Sequence, residues 1–396
     1  MSQEAEAPSE YILQGTSAYR RATIALFCAG FATFALLYCV QPLLPMLAEA
    51  FQVSSSSSSL SLSVTTCSLA FGLLLSGALS ESWGRKPVMV IALLAACILG
   101  IASALVSDWT LLLVIRTLLG LALSGLPALA MAYVGEEFDP RSLPVAMGLY
   151  IGGTALGGLL GRLLAGVFSD VGGWQLALGG IAGLGLFSCL LFIWLLPKSR
   201  HFVAQPLSIK GLLKNFAKHL SNKDLRVLFL LSFLLMGSFV AMFNYIGFHL
   251  QLAPFNLSST IISFLFLVYL LGIVSSNWSG RLVSKYSARL VLIVSLLIML
   301  AGALACLIEW LPAITLGLAL FTIGFFAAHA VASGMVGQKA GGARAQASAL
   351  YLCAYYLGSS ALGYAGGWVW DHWGWMPLIA AISACLLLAV FRTRNL

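Results

Sequence analysis

Charge is the scarcest commodity in this chain: Asp, Glu, Lys and Arg together make up 9% of its 396 residues, against roughly 25% in an ordinary soluble domain. With 60% apolar residues and a mean hydropathy of +0.98, too few polar side chains remain to dress a water-soluble globule. Paired metal or disulfide spacings are missing too. The cysteines at 28, 39, 67, 97, 189, 306, 353 and 385 all lie in apolar runs, and no two form a C-x-x-C pair, so neither a zinc site nor a disulfide framework is expected. There is no G-x-x-x-x-G-K-[ST] loop for a nucleotide-driven pump and no G-x-S-x-G elbow for hydrolysis. Five histidines without paired spacing complete the case against an enzyme, and no cofactor is expected. The net charge of +8 is not gathered on one soluble face, which argues against a nucleic-acid partner. The first eighteen residues are polar and acidic, unlike the basic start of a cleaved signal peptide, so the first span is expected to be retained.

What the chain does have is apolar runs of membrane-spanning length, at about 22–44, 60–80, 87–107, 110–133, 144–168, 174–196, 226–249, 259–280, 288–308, 312–335, 346–370 and 374–391. Twelve spans use roughly 240 residues and leave no room for a sizeable soluble domain. Lys and Arg sort into alternate gaps: Arg20 and Arg21, Arg85 and Lys86, Arg141, the run Lys198 to Arg226, Arg281 to Arg289, Lys339 and Arg344, then Arg392 and Arg394. The opposite gaps carry only Glu49, Asp108, Asp170, Glu309 and Asp371. Excess Lys and Arg mark cytoplasmic loops, so both termini are expected in the cytoplasm and the number of spans is even. The expected division is a tail at 1–21, a bundle at 22–196, a linker at 197–225, a second bundle at 226–391 and a tail at 392–396. Within the linker, Lys210, Lys214 and Lys218 alternate with Leu212, Leu213, Phe216 and Leu220. That pattern fits a basic amphipathic helix on the anionic leaflet or a plain solvated linker helix.

The halves resemble each other. Gly166, Asp170, Gly173 and Trp174 are answered by Gly367, Asp371, Gly374 and Trp375 at an offset of 201, as are Tyr150 and Gly157 by Tyr351 and Gly358. Phe51 to Ser54 is echoed by Phe255 to Ser258 at 204. Two six-span bundles related by a repeat, with a site between them, are the expected architecture of a secondary transporter.

The stretch from Gly77 through Glu81 to Gly84, Arg85 and Lys86 resembles the loop 2–3 signature of the major facilitator superfamily. Arg116 with Gly120, and Gly153-x-x-x-Gly157-Gly158-x-x-Gly161-Arg162, are similar to that family's motifs in spans 4 and 5. In the span-5 motif Gly158 replaces the usual proline and Arg162 the last glycine. The stretch from Tyr38 through Gln41 and Pro42 to Pro45 resembles the efflux-permease branch (arabinose-efflux and multidrug-efflux types). The resemblance implies an all-α integral membrane protein of twelve transmembrane helices in two six-helix repeats. It also implies alternating access and a conformational latch at Gly77, Glu81, Gly84, Arg85 and Lys86, with Ser82 at a usually basic position. A monomeric protein of the bacterial inner membrane is expected, taking a small-molecule substrate and protons.

Arg116 and Arg162 are the only bases inside spans, each about six residues, or roughly 9 Å, from the end that lacks Lys and Arg. A charge at such depth faces water, a partner or a substrate, so both, Arg116 foremost, are expected to line the cavity and bind an anionic or strongly hydrogen-bonding substrate group. For Arg116 the alternative is bonding to backbone carbonyls; for Arg162 it is snorkelling. Tyr38, Gln41, Asn244 and Tyr245 fall at similar depth and are candidate lining residues. His329 is either a coupling group or a packed histidine. Gly153, Gly157, Gly158 and Gly161 form a helix-packing face. No acid lies inside a span, which favours a neutral or anionic substrate over a cationic drug and leaves Glu81, Asp170 and Asp371 as proton carriers by elimination. Proton-coupled efflux is the expectation. Uptake symport, uniport and a non-transporting membrane sensor are the alternatives.

Overall fold

The computed structural model describes residues 11–202, 209–394 and 396, with 77–82 and 209 as backbone alone. Its first half runs through α1 (Ser17–Tyr38), a 3-10 turn at Gln41–Leu43, α2 (Leu44–Ala50), α3 (Ser55–Trp83), α4 (Arg85–Leu105), α5 (Trp109–Leu123), α6 (Pro127–Glu137) and α7 (Leu143–Leu195). After the linker helix α8 (Ile209–Ser221) come α9 (Lys223–Gln251), α10 (Ser259–Phe264), a 3-10 turn at Leu265–Val268, and α11 (Tyr269–Val283). Then follow α12 (Ala288–Ala305), α13 (Leu311–Lys339), α14 (Arg344–Trp373) and α15 (Trp375–Thr393). Among the described residues no strand forms. A lone bridge joins Ile12 to Phe138. In lipid only structures that satisfy their own backbone groups can span, and helices do so locally.

Ten helical stretches among the described residues are long and apolar enough to cross a bilayer. One of them, α7, is broken by Gly172 and by Gly173, whose φ of +72° is left-handed, so it crosses twice. The same break falls at Gly374 (φ +79°) between α14 and α15, the position the repeat pairs with Gly173. A twelfth crossing is α14, thirty residues long but enriched in Tyr, Ser and Gly, which lower its hydropathy. It packs between α3 and α9. The helices follow the expected spans and mostly run a few residues past them. The chain after the twelfth span and the start of the first lie at one end of the bundle, here called the terminal end. The other is the far end.

Close packing follows the repeat. A Cβ on Gly157 would sit 2.2 Å from the Phe31 carbonyl oxygen of α1, and one on Gly358 would sit 2.1 Å from that of Phe233 in α9. These contacts are copies of each other across the two halves. Helices in lipid gain little from hydrophobic burial against one another, so such backbone approach is what holds them. The linker contains a helix, as the lysine spacing suggested. Leu213 and Leu220 of α8 are exposed beside the lysines, while His219 is turned inward.

Candidate functional site

Arg116 is 1% exposed, and its nitrogens all end on backbone carbonyls. Nε donates to Ser61 O at 3.0 Å, Nη1 to Leu36 O at 3.2 Å and Nη2 to Leu37 O at 3.0 Å. The acceptors lie near the end of α1, where Pro42 interrupts regular helix, and early in α3. This is the carbonyl-bonding arrangement. The guanidinium ties three helices together and has no donor nitrogen left without an acceptor.

Arg162 is placed differently. Its Nε donates to Gln41 Oε1 at 2.7 Å and its Nη1 to Gly158 O at 2.5 Å, while Nη2 meets no acceptor among the described residues. The guanidinium carbon lies 4.1 Å from the Tyr38 ring centroid, 4.9 Å from Tyr269 and 5.4 Å from Phe266. Cation–ring contacts at these distances are favourable, the more so when water is excluded. At 3% exposure, Arg162 does not snorkel. Gln41 in turn donates its Nε2 to Asn244 Oδ1 at 2.8 Å. One amide thus bridges the first-half arginine and the second half. Asn244 Nδ2 is buried with no partner among the described residues. Tyr245, next along α9, donates to Gly363 O at 2.7 Å and points toward α14, away from the arginine's bridge.

The far end is closed by two repeat-related aspartates. Asp170, near the break in α7, accepts from the Thr260 amide at the start of α10 at 2.9 Å. Asp371, near the end of α14, accepts from the Ser56 amide at the start of α3 at 2.9 Å. Each carboxylate caps a helix N-terminus of the opposite half, where unpaired N–H groups and the helix dipole favour negative charge. Beside them, Gly166 and Gly367 let the halves touch. A Cβ at Gly166 would overlap Ser263 and one at Gly367 would overlap Tyr245 and Ser56. Between the ends, Thr66 of α3 shares a 2.7 Å hydrogen bond with Ser360 of α14.

His329 lies on α13, its Nδ1 3.1 Å from Tyr351 Oη, with Phe325 and Tyr355 rings 6.0 Å and 4.8 Å away. It is a packed, hydrogen-bonded histidine. In the loop 2–3 motif Gly77 and Glu81 are described as backbone alone, so the Glu81 carboxylate lies outside what is described. Gly84 has the positive φ (+92°) of a tight turn. Arg85 pairs with Glu136 of α6 at 2.8 Å, and Lys86 donates to the Leu196 carbonyl. These contacts lie within the first half. In the second half Ser287 caps α12 by accepting from the Leu290 amide at 3.2 Å. Of the span-5 glycines, Gly153, Gly157 and Gly161 pack on the α1 backbone. Gly158 does not join that seam, because it faces Arg162 and lends it a carbonyl.

Several contributors went unnoticed in the sequence. Tyr269, Tyr355, Tyr356 and Phe266 surround Arg162 or its neighbours but sit in apolar runs like any core aromatic. Only the adjacent Tyr355 and Tyr356, in the least apolar span, offered a signal. Buried Glu137 also escaped notice. It accepts from the Arg200 and His201 amides at 2.8 and 3.0 Å, clasping the linker to α6, and Tyr11 stacks on His201.

A model of the Major Facilitator Superfamily matches residues 26–360. The chain is 46% identical over 381 residues to the uncharacterized MFS-type transporter YybF of Bacillus subtilis (strain 168), covering 96% of this chain and 94% of that one. It is also 46% identical over 383 residues to the inner membrane transport protein YnfM of Escherichia coli (strain K12), covering 97% and 92%. In fold it is similar to the human organic anion transporter MFSD10 (TETRAN), with a TM-score of 0.72 at 19% identity over 95% of this chain and 99% of that one. Repeat, crossings and matched sequence converge: the chain belongs to the major facilitator superfamily of membrane transporters.

Proposed function

We propose that the protein is a proton-coupled secondary carrier that expels a small neutral or anionic organic compound, with Arg162 as the centre of its binding site. The carrying observation is the position of Arg162. It stands where the two halves meet, with an unused Nη2 edge and a single amide, Gln41, linking it to Asn244 of the other half. A substrate that takes Gln41's place on the guanidinium removes that link, so binding and rearrangement of the halves are coupled. The bundles at 22–196 and 226–391 rock about this point. Asp170 and Asp371 close the far end in one state, and the loop 2–3 latch, with Glu81 and Arg85, closes the terminal end in the other.

Lys and Arg crowd the terminal end, which supports its assignment to the cytoplasm. The name of the Escherichia coli relative supports the inner membrane as the location. The organic-anion neighbour is consistent with an anionic substrate, as is a membrane interior without a carboxylate. Arg116 we take as a structural pin, and Tyr245 and His329 as packing partners of α14. The linker helix α8 lies on the headgroups with Leu213 and Leu220 toward the acyl chains. In proteoliposomes with an imposed pH gradient, wild-type protein is expected to drive organic-solute flux that follows the gradient, and R162Q to lose at least tenfold of it. Gradient-independent equilibration would indicate a uniporter, and tight binding without flux a sensor.

A further inference from the structure

The surroundings of Arg162 are short of hydrogen-bond partners in one particular way. The hydroxyls of Tyr150 and Tyr269 are buried and have no partner among the described residues, although buried polar groups in folded proteins are nearly always paired. Tyr38, whose ring lies against Arg162, and Tyr355 and Tyr356, whose rings are 5.1 Å apart on α14, make no side-chain hydrogen bond among the described residues either. Two phenols, Tyr38 of α1 and Tyr269 of α11, therefore flank one guanidinium with hydroxyls that have no acceptor among the described residues. Such a group of donors is complementary to an acceptor-rich ligand.

The charge count narrows the ligand. Arg116 and Arg162 are the two buried arginines, and the three nitrogens of Arg116 are consumed by carbonyls. One positive charge remains available, matching one negative charge. A guanidinium edge presents parallel N–H groups that fit a carboxylate. The walls are ring faces. From Tyr269 a continuous aromatic surface runs to Phe243 at 5.2 Å, Phe239 at 5.4 Å and Phe326 at 5.8 Å between centroids. Aromatic surfaces of this kind favour a flat ring in offset or edge contact.

We propose that the site takes an aromatic monocarboxylate. Its carboxylate takes the Nε–Nη2 edge of Arg162, displacing Gln41 from Nε, and accepts from the Tyr269 hydroxyl, while its ring lies against the aromatic wall beyond Tyr269. This names the substrate class for the carrier proposed above and rests on that proposal. A dianion leaves a charge unmatched, a cation meets Arg162 with repulsion, and a neutral amide forfeits the charge-assisted bonds.

The test uses the full-length protein in lipid nanodiscs, titrated by calorimetry with benzoate, benzamide, cyclohexanecarboxylate and phthalate. Benzoate is expected to bind at least tenfold more tightly than benzamide or phthalate and several-fold more tightly than cyclohexanecarboxylate. R162Q should lose benzoate binding by tenfold or more, and Y269F, which removes only a hydroxyl, by about fivefold. Should R162Q fail to fold, Y269F and Y38F carry the comparison. Benzamide binding as tightly as benzoate, or wild-type protein binding none of the carboxylates, would overturn the proposal. Parallel flux assays separate the two levels. Gradient-driven flux of other organic solutes without benzoate binding sinks the substrate class and leaves the carrier standing. Arg162-dependent benzoate binding with no flux under any gradient sinks the carrier and leaves the site.

Discussion

Two arginines that look alike in the chain have opposite situations in the fold. Both stand about six residues inside an apolar span, and nothing in their immediate sequence separates them. Arg116 meets the carbonyls of Leu36, Leu37 and Ser61, while Arg162 meets rings, one side-chain amide and the Gly158 carbonyl of its own helix. Depth in the membrane was legible from hydropathy, but the partners come from helices far along the chain. The consequence is a difference in phenotype. Removing Arg116 takes away three charge-assisted bonds that join α5 to α1 and α3, and hydrogen bonds to charged groups contribute about 1.5–3 kcal/mol each. R116A is therefore expected to lower the melting temperature of the purified protein markedly. A normal melt with transport abolished would instead put Arg116 in the substrate path.

The element scale turns on glycine and on helix ends. Gly157 and Gly158 are neighbours with different roles. A methyl group on the first runs into the Phe31 carbonyl, while one on the second meets the Arg162 Nη1 at 3.4 Å and Phe34 Cβ at 4.0 Å, both ordinary contact distances. G157A is expected to push α1 and α7 apart and cost stability, by about 1–3 kcal/mol as for overpacked cores. G158A should fold nearly as the wild type, and equal melting curves for the two variants would refute the assignment. The glycine pattern on span 5 was visible in the chain, as was the pairing of each half's residues at an offset near 201. Which glycine serves the seam and which serves the arginine was not, because consecutive residues on a helix are turned about 100° apart and the partner helix's bearing is a tertiary fact. The aspartate caps belong here too. Losing a cap costs about 1 kcal/mol, so D170A with D371A should shift the balance toward far-end opening by roughly 30-fold if the two act independently. Thiol labelling of a cysteine introduced at Ser263, buried between the halves against Gly166, should speed up accordingly. Unchanged labelling would show that the caps are ornaments of the closed end.

For the whole molecule, the sequence carried most of the plan: twelve crossings, the repeat and the basic gaps were all readable, since each rests on local hydropathy or composition. Two crossings were less plain in the structure than in the chain. The Gly172–Gly173 break leaves α7 continuous by hydrogen bonding, and α14 is too polar to pass for a span by composition alone. Closure at one end was not readable, because it depends on contacts such as Asp170 to Thr260 and Asp371 to Ser56 that join residues distant in sequence. Those contacts and the Gln41 bridge define one state of a two-body device. A second state must exist for a carrier, with the far end parted and the terminal end shut. The most direct measurement is pulsed electron spin distance in nanodiscs for two label pairs, Val171 with Ile261 at the far end and Val145 with Leu282 at the terminal end. The prediction is that, on adding substrate or the D170A and D371A changes, the far-end distance lengthens as the terminal-end distance shortens. Distances that stay fixed, or that lengthen together, would contradict alternating access by two rigid halves.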